Sequence, residues 1–88
     1  MADRLHLRVY TPERTLFEGD VREVTAPAVD GEIGILPDHA ALVTALAAGV
    51  VWYRGDGGVV RMEIDGGFAE VLDNVMTVLA DRGRRLDG

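Results

Sequence analysis

Apolar and polar residues alternate with a period of two along this chain. Leu5, Leu7 and Val9 are separated by His6, Arg8 and Tyr10, and Val60, Met62 and Ile64 by Arg61 and Glu63. Successive side chains of a strand point to opposite faces, so this spacing builds a sheet with one apolar face, whereas on a helix it would scatter the same residues around the axis. Turn residues interrupt the runs. Thr11-Pro12-Glu13-Arg14 ends the first strand, Gly55-Asp56-Gly57-Gly58 joins Val50–Arg54 to Val59–Ile64, and Asp73-Asn74 joins Phe68–Leu72 to Val75–Ala80. The Gly55–Gly58 loop supplies residues that tolerate the positive φ of tight hairpins, and Thr11–Arg14 and Asp73-Asn74 supply ordinary turn residues. Six or more short strands spaced in this way predict an all-β, antiparallel sandwich or barrel in a single domain.

Three stretches are harder to read. Leu16-Phe17 predicts a second strand closed by Gly19-Asp20, and Val21–Ala28 a third, in which Val21 and Val24 are out of phase and predict a bulge near Arg22. Ala40–Ala48 carries five alanines behind a possible Asp38 cap, which favours helix by propensity, yet Leu42, Thr44 and Leu46 alternate as in a strand. From Asp81 onward the apolar periodicity stops, predicting a loosely held polar tail.

At 88 residues the chain can bury about 60–65% of its unfolded surface, and with no Cys its stability comes from packing or from a partner. A net charge of −6, from 15 acidic and 9 basic residues, argues against nucleic acid, since nothing would offset repulsion from phosphates. No apolar run approaches the roughly 20 residues of a membrane-spanning helix, and Met1-Ala2-Asp3-Arg4 precedes no signal-peptide apolar region, so the expectation is a soluble intracellular chain.

Catalytic chemistry finds few supports. With no Cys and no Ser, Thr is the remaining hydroxyl nucleophile of that kind. His6 and His39 lack metal-ligand spacing, and Gly66-Gly67 lacks the Lys and the following helix of a phosphate loop, so it reads as a bend or a close backbone approach. The segment Gly31-Glu32-Ile33-Gly34-Ile35-Leu36-Pro37-Asp38-His39-Ala40 stands apart. Its glycines and proline shape a backbone while Glu32 and His39 give it a polar surface; Glu32 is open to two readings, a solvated loop carboxylate or a polar contact at a protein interface. Of adjacent Trp52 and Tyr53, one faces the core and the other outward.

Taken in order, Leu16-Phe17-Glu18-Gly19, the Gly31–Ala40 segment, Leu42-Val43-Thr44-Ala45-Leu46, Gly66-Gly67-Phe68-Ala69-Glu70-Val71 and Met76-Thr77-Val78-Leu79-Ala80-Asp81 resemble the epsilon subunit of F-type ATP synthases. The resemblance runs from about Leu5 to Asp81. Asp38 stands where that family commonly has Gly, and Ala41 and Ala48 where many members have Pro. The resemblance implies a flattened antiparallel β-sandwich of about eight to ten short strands over residues 3–81, with 82–88 a short polar tail. It implies a non-catalytic subunit of the central stalk, or rotor, without cofactor, that binds the gamma subunit and the c-ring and couples proton or sodium flow to ATP synthesis. Gly31, Glu32, Pro37, Asp38 and His39 would then face the c-ring, and Thr11, Val43 and Thr44 the gamma subunit. Typical bacterial members continue into a two-helix hairpin, and the sequence given stops at Gly88, so the expectation is a short form without that hairpin and without its ATP site. The expected location is the cytoplasmic face of the bacterial plasma membrane, peripheral and not inserted. An alternative from the strands and glycines alone is a stand-alone β-sandwich that binds a small ligand or carbohydrate.

Overall fold

The computed structural model describes residues 2–86, of which eight segments are strands and none is a helix. Strand β1 (Leu5–Tyr10) buries Leu5, Leu7 and Val9 and turns the alternate residues outward, as the spacing requires. Its turn is closed by the Thr11 amide, which donates to the Arg14 carbonyl at 2.9 Å, while the Thr11 hydroxyl oxygen accepts the Arg14 amide at 3.2 Å. Strand β2 (Thr15–Val21) corrects the sequence reading, because it runs through Gly19-Asp20 instead of ending there. A Cβ on Gly19 would lie 3.0 Å from Cζ of Phe17, so this glycine makes room for a ring and not for a turn.

The predicted bulge at Arg22 is instead the bend that separates β2 from β3 (Glu23–Ala28), and it places Val21 and Val24 in the same core. The Arg22 amide keeps a partner across the bend, the Arg54 carbonyl at 2.8 Å. A tight turn through Val29-Asp30 leads to β4 (Gly31–Ile35), which begins on the positive φ of Gly31. The alanine-rich stretch belongs to β5 (Leu42–Gly55). Helix propensity is outweighed there because β5 pairs along nearly its whole length with β6 (Gly58–Leu72).

Strand β6 joins what the sequence read as two strands. It bends at Gly66 and Gly67, with φ of 83° and 136°, and a Cβ on Gly67 would collide with the Leu79 carbonyl oxygen of β7 (Val75–Ala80). Asp73 and Asn74 both adopt positive φ in the turn between β6 and β7. The polar tail is a further correction: Gly83–Arg85 forms β8, paired with Met62–Ile64 of β6. Backbone pairing and the fit of Gly83 against Leu16 and Ile64 hold it without any apolar periodicity. The last two positions of the expected tail lie outside the described residues.

Strand order is β2-β1-β7-β6-β5-β3-β4, with β8 added to β6. All neighbours are antiparallel except β1 and β7, a parallel pair that hairpin signals alone do not reveal. Because β6 pairs with β8 before its glycine bend and with β7 after it, the sheet folds over itself into two layers. Leu7, Val9, Val24, Ile35, Val51, Met62, Met76 and Val78 fill the space between them, and no polar residue is buried among the described residues. Phe17 and Tyr53 link β2 to β5 with ring centroids 4.3 Å apart. Tyr53 is thus the inward member of its pair, and Trp52 lies half-buried on the other side. The extents of 33 × 27 × 21 Å describe a flattened body.

Candidate interaction surfaces

Strand β4 is an edge of the sheet, paired with β3 on one side and open on the other. Gly31 and Glu32 lie at its hairpin end, opposite Ala28 and Pro27. Glu32 is exposed, and among the described residues no side chain pairs with its carboxylate. Val29 and Leu36, exposed by 58% and 57%, flank the strand at its two ends, so a lone carboxylate sits between apolar side chains on an unpaired edge. Such an edge commonly marks a contact with another chain.

Pro37, Asp38 and His39 are in the connection that follows. At about 3.3 Å per strand residue, Glu32 stands roughly 10 Å from the end of β4, so the five residues assigned to one contact form two groups along one edge. Asp38 adopts φ of 66°, a left-handed backbone that Asp tolerates better than most residues other than glycine. The His39 amide donates to the Leu36 carbonyl at 3.2 Å, and its Nδ1 lies 2.7 Å from the Ala40 carbonyl oxygen, which folds the ring back onto its own loop. The Asp38 amide donates to Oδ1 of Asn74 at 2.9 Å, and the Asp38 carboxylate accepts the Ala2 amide at 2.9 Å.

A second surface lies on the outer face of β5, β6, β7 and β1. Register aligns Ala45, Phe68, Leu79 and Tyr10 in one row, and Val43, Glu70, Thr77 and Arg8 in the next. Val43 is exposed by 71%, Phe68 by 59%, Leu79 by 54% and Leu72 by 50%, and these four form an apolar tract around the carboxylate of Glu70. A shallow cleft of 240 Å³ opens between Val43, Phe68 and Leu79. The tract turns polar toward β2. There His6 lies between Asp20 and Glu18 at 2.8 and 3.2 Å, and the Tyr10 hydroxyl donates to Glu18 at 3.1 Å. Hydrogen bonds to Asp20 and then to Glu18 raise the His6 pKa, and those from His6 and Tyr10 lower that of Glu18.

The residues assigned to the gamma side do not share one face. Val43 points outward beside Glu70, whereas Thr44, opposite buried Ala69, is half-buried on the inner side and its hydroxyl donates to the Ala45 carbonyl. Thr11 sits beyond both, in the turn after Tyr10. Phe68, Leu72 and Leu79 escaped the sequence reading of the site. Their signal was present, since Phe68–Leu72 and Val75–Ala80 carry apolar residues on both faces, and a two-layer fold covers only one of them. A third feature is a groove of 440 Å³ between β5, β6 and β8, floored by Gly49, Val50 and Ile64. Its charges are paired, Arg82 with Asp65 at 2.6 Å and Arg84 with Glu63 at 3.1 Å.

A model of the β-sandwich domain of the ATP synthase delta/epsilon chain matches residues 4–85. The chain belongs to that family. The match extends through β8, four residues past the boundary at 81 that the sequence suggested. An ATP synthase epsilon chain from Carboxydothermus hydrogenoformans is 46% identical over 99% of this chain and 67% of its own length. Another, from Nitratidesulfovibrio vulgaris, is 40% identical over 99% of this chain and 65% of its own. The chain thus spans about two thirds of the length of these relatives. Among solved structures, a chain of the mitochondrial ATP synthase of Euglena gracilis, resolved with its OSCP, F1 and c-ring parts, superposes with a TM-score of 0.90. It is 26% identical and covers 99% of this chain and 56% of that one.

Proposed function

We propose that this chain is a non-catalytic part of the central stalk of an F-type ATP synthase, binding the gamma subunit and the c-ring so that ion flow through the ring is coupled to ATP synthesis. The observation that carries the reading is the apolar tract of Val43, Phe68, Leu72 and Leu79, left open on the outer face of a small domain that has already filled its core. An uncovered tract of this kind favours a protein partner over solvent, and family membership supplies gamma as the candidate. Val43 and Thr11 would lie on the gamma side of that contact, with Thr44 supporting Val43 from the inner face.

Gly31, Glu32, Pro37, Asp38 and His39 line the other end of the role, the edge that meets the ring. An unpaired carboxylate at an exposed edge suits basic or amide groups of a polar loop, because hydrogen bonds to a charged acceptor are the stronger kind. Two packed sheets suit a transmitting part because a close-packed core deforms little under load. In a cell the complex would sit at the cytoplasmic face of the bacterial plasma membrane, with this chain peripheral to the bilayer. The 440 Å³ groove would be the place for a small ligand under the alternative reading, but its charged walls already satisfy one another.

Mixed with its cognate gamma subunit, the folded chain is expected to co-elute as one complex on size exclusion. A folded sample that elutes separately at micromolar concentration rejects the reading. Tight binding of a small molecule without gamma binding would replace it.

A further inference from the structure

The connection from Leu36 to Ala41 belongs to no strand, and its own hydrogen bonds, His39 amide to Leu36 and His39 ring to Ala40, are local. Among the described residues, two bonds tie it to other parts of the chain, both at Asp38. One holds the N-terminal segment through the Ala2 amide; the other reaches the sheet through Asn74.

Asn74 is placed to act as a clasp. Its Oδ1 accepts the Asp38 amide at 2.9 Å, its Nδ2 donates to the Arg4 carbonyl at 2.7 Å, and its backbone carbonyl accepts the His6 amide at 3.0 Å. One half-buried side chain therefore bonds the loop on one side and the start of β1 on the other. Both ends of its amide are satisfied, which locks the rotamer. Asn74 also occupies the turn that begins β7, the strand carrying Leu79 of the apolar tract, and it follows Leu72 by two positions. Its φ of 66° is one that asparagine adopts more readily than most residues, so the turn and the clasp favour the same residue type.

We infer that Asn74 is a positioning residue that holds the Pro37–His39 loop in fixed register with the apolar face of β6 and β7, so that the two contact surfaces move as one body. The inference rests on the functional reading above. Without the clasp the loop stays covalently attached to β4 and β5 but loses its bond to the turn, and a load at the loop is taken up by the loop.

The test is Asn74→Gly in the full chain, which keeps the left-handed turn and removes both side-chain bonds. Amide exchange by NMR is expected to show the Asp38 amide released by about tenfold or more, with the amides of β6 and β7 unchanged. Affinity for the purified detergent-solubilised c-ring is expected to fall roughly five- to tenfold, the scale of one lost hydrogen bond, with gamma affinity unchanged. Asn74→Asp, which keeps an acceptor for the Asp38 amide, is expected to restore most of the protection.

An Asp38 amide as protected in Asn74→Gly as in the parent chain overturns the clasp. A released amide with unchanged ring affinity overturns the positioning role. Equal losses toward ring and gamma identify a general loss of structure and overturn it too. A parent chain that binds gamma but not the ring rejects the ring assignment itself, and the exchange data then judge the clasp alone.

Discussion

His6 shows how far one residue's chemistry reaches. It faces Asp20 and Glu18 on β2 and lies between Arg4 and Arg8 along its own side of the sheet, while β7 on its other flank offers Val75 and Thr77 and no titratable group. The folded chain holds a proton on His6 more tightly than the unfolded chain does, because of the hydrogen bonds to Asp20 and Glu18. That contribution is complete below the ordinary histidine value of about 6.5 and is lost as pH rises through the raised folded value. Glu18 runs the other way, present above the ordinary carboxylate range and lost as pH falls through its lowered value. The melting temperature is therefore expected to be highest between the two, and His6→Gln to flatten its decline on the alkaline side. Thermal melts from pH 4 to pH 9 check this. An unaltered alkaline slope in the variant would assign the decline elsewhere.

At the scale of elements, strands with alternation were legible and their ends were not. Leu5–Tyr10 and Val75–Ala80 are where the spacing puts them, since a half-buried strand needs nothing beyond its own pattern. Gly19 reads as a turn from sequence but serves the ring of Phe17, whereas Gly66-Gly67 is the bend and close backbone approach it reads as, set within one strand where the sequence suggests two. The same residue type makes room in both, and only the neighbour across the space shows which use applies. Strand β8 had no pattern to find, because backbone pairing and one tight glycine hold it. The Leu86 amide donates to the Arg61 carbonyl at 2.9 Å, and the Asp65 amide to the Arg82 carbonyl at 2.9 Å. Both amides are expected to exchange slowly. Gly83→Val should release them, since a Cβ there would meet Leu16 at 2.9 Å and the Glu63 carbonyl at 3.0 Å. Exchange by NMR decides it, and fast exchange in the unmodified chain would show that β8 does not hold in solution.

For the whole molecule, the two surfaces lie on different parts of the sandwich, the apolar tract on the β5-β6-β7 face and the Pro37–His39 loop beyond the β4 edge. Their effects are expected to separate. Phe68→Asp puts a charge at the centre of the tract, where losing an apolar anchor costs about 2 kcal/mol or more, a fall of roughly thirtyfold in gamma affinity. The residue is exposed in the free chain, so the melting temperature should change little. Glu32→Ala is expected to weaken ring binding a few-fold, as for one charge-assisted bond, and to leave gamma binding alone. Pull-downs of each variant with each partner provide the check. Matching losses in all four pairings would mean that the two surfaces are not separate.

The sequence by itself determined the class of fold, the hairpin turns at Gly55–Gly58 and Asp73-Asn74, and the inward residues of each alternating run, because period-two burial and positive φ are properties of neighbours along the chain. It also singled out Gly31–Ala40 by its crowding of glycine, proline and charge. Tertiary structure alone decided that β1 lies parallel to β7, that Val43 and Thr44 face apart, that Phe68 and Leu79 are left open, and that Asp38 is held by Asn74 across 36 positions. Those facts depend on which strands meet after the sheet folds over at Gly66-Gly67, and a pairing between distant segments leaves no period in either of them.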